Sequence, residues 1–137
     1  METKKFILSV LPEKLSICHF DKKSPIPGWA MEISFCSITR TKDELSIVCP
    51  QDKIPGGVLA EKDWRAFKLE GAPDLFSVGV IASLSQPLAE VGISIFNVST
   101  YETNYILVEE KNLAKAIAVL GKTCEVKNNG NQRQRTS

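Results

Sequence analysis

An α/β fold made of two small related units, the first reduced, is what this sequence predicts, and three observations predict it. Two strand–turn–strand segments, 33–48 and 93–108, overlay without a gap at a shift of 93 − 33 = 60 residues. Ile33-Ser34 meets Ile93-Ser94, Ile38 meets Val98, and Ile47-Val48 meets Leu107-Val108. Such self-similarity signals a duplicated unit, although shared strand grammar gives the same pattern. Long helical periodicity occurs only in the second half. There the order strand, helix, strand, strand, helix, strand spells βαββαβ, the ferredoxin-like arrangement with two helices on one face of a four-stranded sheet.

The elements follow in order. Phe6, Leu8 and Val10 alternate with their neighbours as a strand, and 15–20 reads as a second. Residues 21–28, with Pro25 and Pro27, form a loop, and 29–32 a single helical turn. Residues 33–40 are rich in β-branched and aromatic residues and read as a strand, with 44–49 as its hairpin partner. Two prolines and two glycines exclude a long helix over 50–57, and 64–69 is a short strand. Val80, Ile81, Leu84, Leu88 and Val91 share one helical face, with Pro87 predicted to kink the helix or mark a restart and Gly92 to stop it. Residues 93–99 and 104–108 pair as strands. Leu113, Ala116, Ile117 and Leu120 form the stripe of a last helix that Gly121 ends, and 123–127 is the last strand. Domain limits are thus 1–62 for the reduced unit, 63–127 for the complete one, and 128–137 for a tail with no aliphatic or aromatic residue.

Composition excludes several functions. A formal net charge of +1 opposes broad capture of nucleic acid or anionic membrane. No apolar run approaches the ~20 residues of a membrane span, and no secretory leader is evident. Cys18, Cys36, Cys49 and Cys124 are unclustered and His19 is the only histidine, which leaves no zinc pattern and predicts reduced, mostly buried thiols in a cytoplasmic protein. Cys18 and His19 are adjacent in a strand and so point to opposite faces, which disfavours a catalytic dyad. Gly56-Gly57 lacks the following Lys-Ser/Thr of a phosphate loop. RNA-recognition motifs share the βαββαβ order, but 104–108 lacks their basic-glycine-aromatic pattern. No catalytic residue, metal or cofactor is expected.

Gly79 at a helix entrance either serves a tight loop or lets a ligand approach the backbone, where exposed amides hold a carboxylate. Asn97, Ser99, Thr100 and Asn104 crowd one hairpin, as ligand-binding groups or as ordinary turn polarity.

Ser77-Val78-Gly79-Val80-Ile81-Ala82, then Glu90-Val91-Gly92-Ile93-Ser94 and Ser99-Thr100-Tyr101-Glu102-Thr103-Asn104-Tyr105-Ile106-Leu107-Val108, resemble an ACT domain of the aspartokinase type. The segment 76–120 resembles still more the small tandem-ACT proteins related to the CASTOR arginine sensors. The resemblance implies a non-catalytic regulatory domain that binds a free amino acid. It implies a site at the strand-to-helix loop, Ser77, Val78, Gly79, Val80 and Ile81, faced by Phe96, Asn97, Val98, Ser99, Thr100, Tyr101 and Asn104. Many relatives carry an acid where Asn104 stands, which puts a cationic ligand in doubt. With no enzyme attached, the output passes to a regulated protein partner or to homodimer formation. The other reading is an interaction module with a vestigial pocket.

Overall fold

The computed structural model describes residues 6–31, 33–70 and 79–128. Among these residues, eight strands and two α-helices run in the order β1 (Phe6–Val10), β2 (Leu15–Phe20), β3 (Ser37–Arg40), β4 (Leu45–Pro50), β5 (Ala60–Glu70), α1 (Val80–Glu90), β6 (Phe96–Ser99), β7 (Asn104–Glu109), α2 (Leu113–Leu120) and β8 (Cys124–Lys127). The chain divides into two compact units, Met1–Pro12 with Arg65–Ser137, and Glu13–Trp64.

The larger unit has the predicted βαββαβ order, β5-α1-β6-β7-α2-β8, and two helices. Its sheet differs from the expected four strands. Strand β1 enters between β5 and β8, giving the order β6-β7-β5-β1-β8. It runs antiparallel to β5, with Val10 opposite Phe67, and parallel to β8, with Leu8 opposite Val126. Sequence had grouped this strand with the first half, because alternation reveals a strand but not its partner. Leu8, Val10, Phe67, Leu69, Ile106, Val108 and Cys124 turn one sheet face into a core with Val80, Leu84 and Leu88 of α1 and Leu113, Ala116 and Leu120 of α2. Both helical stripes thus lie where the 3.6-residue period put them. Helix α1 is continuous through Pro87, and Gly92 follows it at a φ of 77°, where glycine pays no Cβ penalty.

The smaller unit orders its strands β3-β4-β2-β5, with β2 pairing the first residues of β5. Cys18, Leu45, Ile47 and Cys49 form its core. Loop residues cover that face in place of α-helices: Trp29 and Ala30 from one 3-10 turn, Ile33, and Ile54 and Val58 beyond another. Arg40 holds the loop before that first turn, donating to the carbonyls of Lys22 (2.6 Å) and Ser24 (2.7 Å). Ile33 enters the core from a bend, so the strand predicted over 33–40 shortens to Ser37–Arg40. Strand β5 is longer than the predicted 64–69, because its charged start at 60–63 carries no apolar alternation.

The two hairpins share one construction. Arg40 opposes Leu45 and Ser99 opposes Asn104, so each closes on four residues beginning with threonine. Thr41 N–H donates to the Glu44 carbonyl at 2.9 Å, and Thr100 N–H to the Thr103 carbonyl at 2.8 Å. The structural correspondence is therefore 99 − 40 = 59 residues, one less than the sequence overlay gives. A shift of 60 would exchange inward and outward faces, since side chains alternate with period two.

Candidate functional site

Helix α1 opens at Gly79, whose φ of 83° and ψ of 5° lie in the left-handed region. As a glycine at the N-cap, it supplies no side-chain cap. The first helical bond runs from Ser83 N–H to the Gly79 carbonyl at 2.9 Å, which leaves the amides of Val80, Ile81 and Ala82 without helical acceptors. Among the described residues, no atom lies within 4 Å of where a Cβ at Gly79 would stand. The positive end of the helix dipole also lies here, favouring an anion.

The β6–β7 hairpin supplies polar side chains. Ile106 faces the helices, and its register neighbour Asn97 shares that face, as do Ser99 and Asn104 one pleat along. Asn97 Nδ2 donates to Ser99 Oγ at 2.9 Å, and Ser99 Oγ donates to Asn104 Oδ1 at 2.6 Å. This chain of three leaves the second Asn97 amide hydrogen and the Asn104 amide group with capacity for further bonds.

Thr103, not anticipated from sequence, anchors the turn. It is buried, and its hydroxyl donates to the Leu69 carbonyl near the end of β5. From that end the chain leads to α1, whose last residues pass through Ile93, bonded to the Leu88 carbonyl, into the start of β6. As β6 runs back to the turn, the helix start and the hairpin turn share one end of the sheet.

The other predicted residues fall as follows. Ser77 and Val78 lie outside the described residues. Val80 is buried and Ile81 partly buried against the core, so these two present backbone rather than side chains. Val98 is buried and Phe96 half-buried. Thr100 spends its hydroxyl inside the turn, accepting from Thr103 N–H and donating to the Thr103 carbonyl, both at 3.2 Å. Tyr101 stands 85% exposed at the turn.

Elsewhere, Cys18 lies in the core of the smaller unit while His19 is exposed, with Nε2 3.8 Å from a Glu44 oxygen. The pair thus faces opposite ways. The neighbouring thiols of Cys18 and Cys49 act on each other, which lowers the Cys18 thiol from its usual range and pushes the Cys49 thiol up. Among the described residues no helix is long and apolar enough to cross a membrane.

Comparison with known proteins bears on both units. The family model described as ACT domain matches residues 59–122, and a model of an N-terminal domain matches 13–57. The human protein named cytosolic arginine sensor for mTORC1 subunit 1 is 30% identical over 132 residues, 87% of this chain and 39% of that protein. The chain thus spans about two fifths of the length of the curated relatives it matches. The solved structure of protein Atu0741 from Agobacterium tumefaciens is 35% identical, covers 92% of this chain and 95% of its own, and superposes with a TM-score of 0.86. The regulatory subunit of aspartate kinase from Thermus flavus has the same fold, with a TM-score of 0.62 at 11% identity over 89% of this chain and 99% of that one.

Proposed function

The chain belongs to the ACT domain family, and from that premise we propose that it is a non-catalytic regulatory module that binds a free amino acid on its larger unit. The observation that carries the reading is the start of α1 at a left-handed glycine that offers no side-chain cap of its own. The ligand α-carboxylate takes the amides of Val80, Ile81 and Ala82, which the helix leaves unpaired. Asn97, Ser99 and Asn104 receive the ammonium and side chain, and Ser77 and Val78, next to Gly79 in sequence, belong to the same proposed site. Phe96, Val98, Thr100 and Tyr101 belong to the hairpin that frames them. In keeping with this reading, relatives carry the names arginine sensor and aspartate kinase regulatory subunit. The module acts in the cytoplasm and passes its state to a protein partner or a second copy of itself.

One observation favours the alternative of a pairing module with a vestigial pocket: Asn97, Ser99 and Asn104 partly satisfy one another without a ligand. Asn104→Asp separates the two readings. A carboxylate there still accepts from Ser99 and adds a charge-assisted partner for ammonium or guanidinium. Calorimetric titration is expected to show the preference moving about tenfold toward lysine or arginine, the size of one charge-assisted bond. A variant as indifferent to every amino acid as the parent supports the vestigial reading.

A further inference from the structure

The smaller unit holds a cavity of about 330 Å³, at the lower end of the range of small-molecule sites, lined by Glu13, Lys14, Gln51 and Asp52. It lies between the entry to β2 and the 3-10 turn Gln51–Lys53 that follows β4. The turn is tied to that entry by Gln51 N–H, which donates to the Lys14 carbonyl at 2.9 Å.

Gln51 is held by hydrogen bonds. Ser16, fully buried, donates its hydroxyl to Gln51 Oε1 at 2.8 Å. The same oxygen accepts from Asp63 N–H at 2.6 Å, and Gln51 Nε2 donates to Asp63 Oδ1 at 2.9 Å. This two-point brace holds Asp63 at a φ of 66°, a left-handed conformation that a non-glycine residue adopts only when its surroundings impose it. It sits where the β2–β5 register shifts. The Gln51 hydrogen bond, with help from Lys14, holds the Asp63 carboxyl below the usual range.

The charges divide unequally. The Lys14 ammonium lies 3.7 Å from Asp63, so the one cation among the described lining residues is already matched. Glu13 Oε2 accepts from the Ser34 hydroxyl at 3.1 Å. Among the described residues, no cation lies within ion-pair distance of Glu13 or Asp52. Two acidic residues with no cation partner among the described residues, Glu13 and Asp52, thus line a cavity together with a Gln51 that is held by hydrogen bonds. We propose that this cavity is a second binding site, separate from the α1 site, for a small organic cation bearing a primary ammonium or guanidinium group. Glu13 and Asp52 pair with the cationic groups, and a Gln51 already held in place spares some of the cost of ordering on binding.

Agmatine is a suitable probe, because it carries both cationic groups and lacks the carboxylate that the α1 site requires. Calorimetric titration of the full chain with agmatine is expected to give saturable one-to-one binding. Glu13→Gln and Asp52→Asn should each weaken it about tenfold, with far-UV circular dichroism and melting temperature unchanged. Gly79→Val should bind agmatine like the parent. No saturable heat at millimolar agmatine, or binding unmoved by both charge-removing substitutions, would overturn the proposal. Loss of agmatine binding in Gly79→Val would overturn its separation from the α1 site, whereas amino-acid binding lost there with agmatine binding kept upholds it.

Discussion

Gly79→Val abolishes amino-acid binding while the fold survives. Two separate effects are expected. The backbone at Gly79 has a φ of 83°, which a β-branched residue adopts only under strain, at a cost of about 1–2 kcal/mol. Among the described residues no atom lies within 4 Å of the added Cβ, so backbone strain is the expected stability cost. The space beside that Cβ is what the ligand carboxylate needs, and the valine methyls fill it. Gly92→Val isolates the second effect. Its φ is 77°, its surroundings are equally open, and it lies beyond the other end of α1. Both variants should lose similar stability in denaturant titrations, and only Gly79→Val should lose binding in calorimetry.

Phe67→Ala is expected to produce the largest loss of stability, about 3–5 kcal/mol, by the usual cost of deleting a large buried side chain. Phe67 is 0% exposed and sits in β5 opposite Val10 of the inserted strand β1. Its ring belongs to the core shared by the central strands and both helices, so the cavity has few ways to collapse. Such a loss is a large share of the 5–15 kcal/mol that typically separates folded from unfolded chains. Urea unfolding should therefore show a midpoint far below that of the parent. A loss under about 1 kcal/mol would mean that β1 and β5 do not share this core.

Much of this was legible in the sequence, for local reasons. The stripe Leu113, Ala116, Leu120 needs only its own helix to be recognised, and the turns after Arg40 and Ser99 are marked by Thr41 and Thr100. The tight backbone at Gly79 was legible, because a glycine at a helix entrance suits the left-handed conformation found there. What stayed hidden depends on distant partners. The insertion of β1 between β5 and β8 rests on pairings some sixty and more than a hundred residues away. Thr103 reads as one more polar turn residue until its hydroxyl is seen to reach the Leu69 carbonyl. The cavity of the smaller unit leaves no trace in sequence, since Gln51 and Asp63 acquire their roles only when β4 and β5 meet Ser16 of β2.

The central claim is that the start of α1 holds the carboxylate of a free amino acid, and calorimetric titration of the full chain against each of the twenty amino acids tests it most directly. The account predicts that at least one binds saturably, with one ligand per chain and a dissociation constant below 1 mM, a binding free energy stronger than about −4 kcal/mol. It also predicts that removing only the α-carboxylate, as in the corresponding amine, erases the heat at the α1 site. Twenty amino acids without saturable heat at millimolar concentration, or a binder that keeps its affinity when the carboxylate is gone, would contradict it.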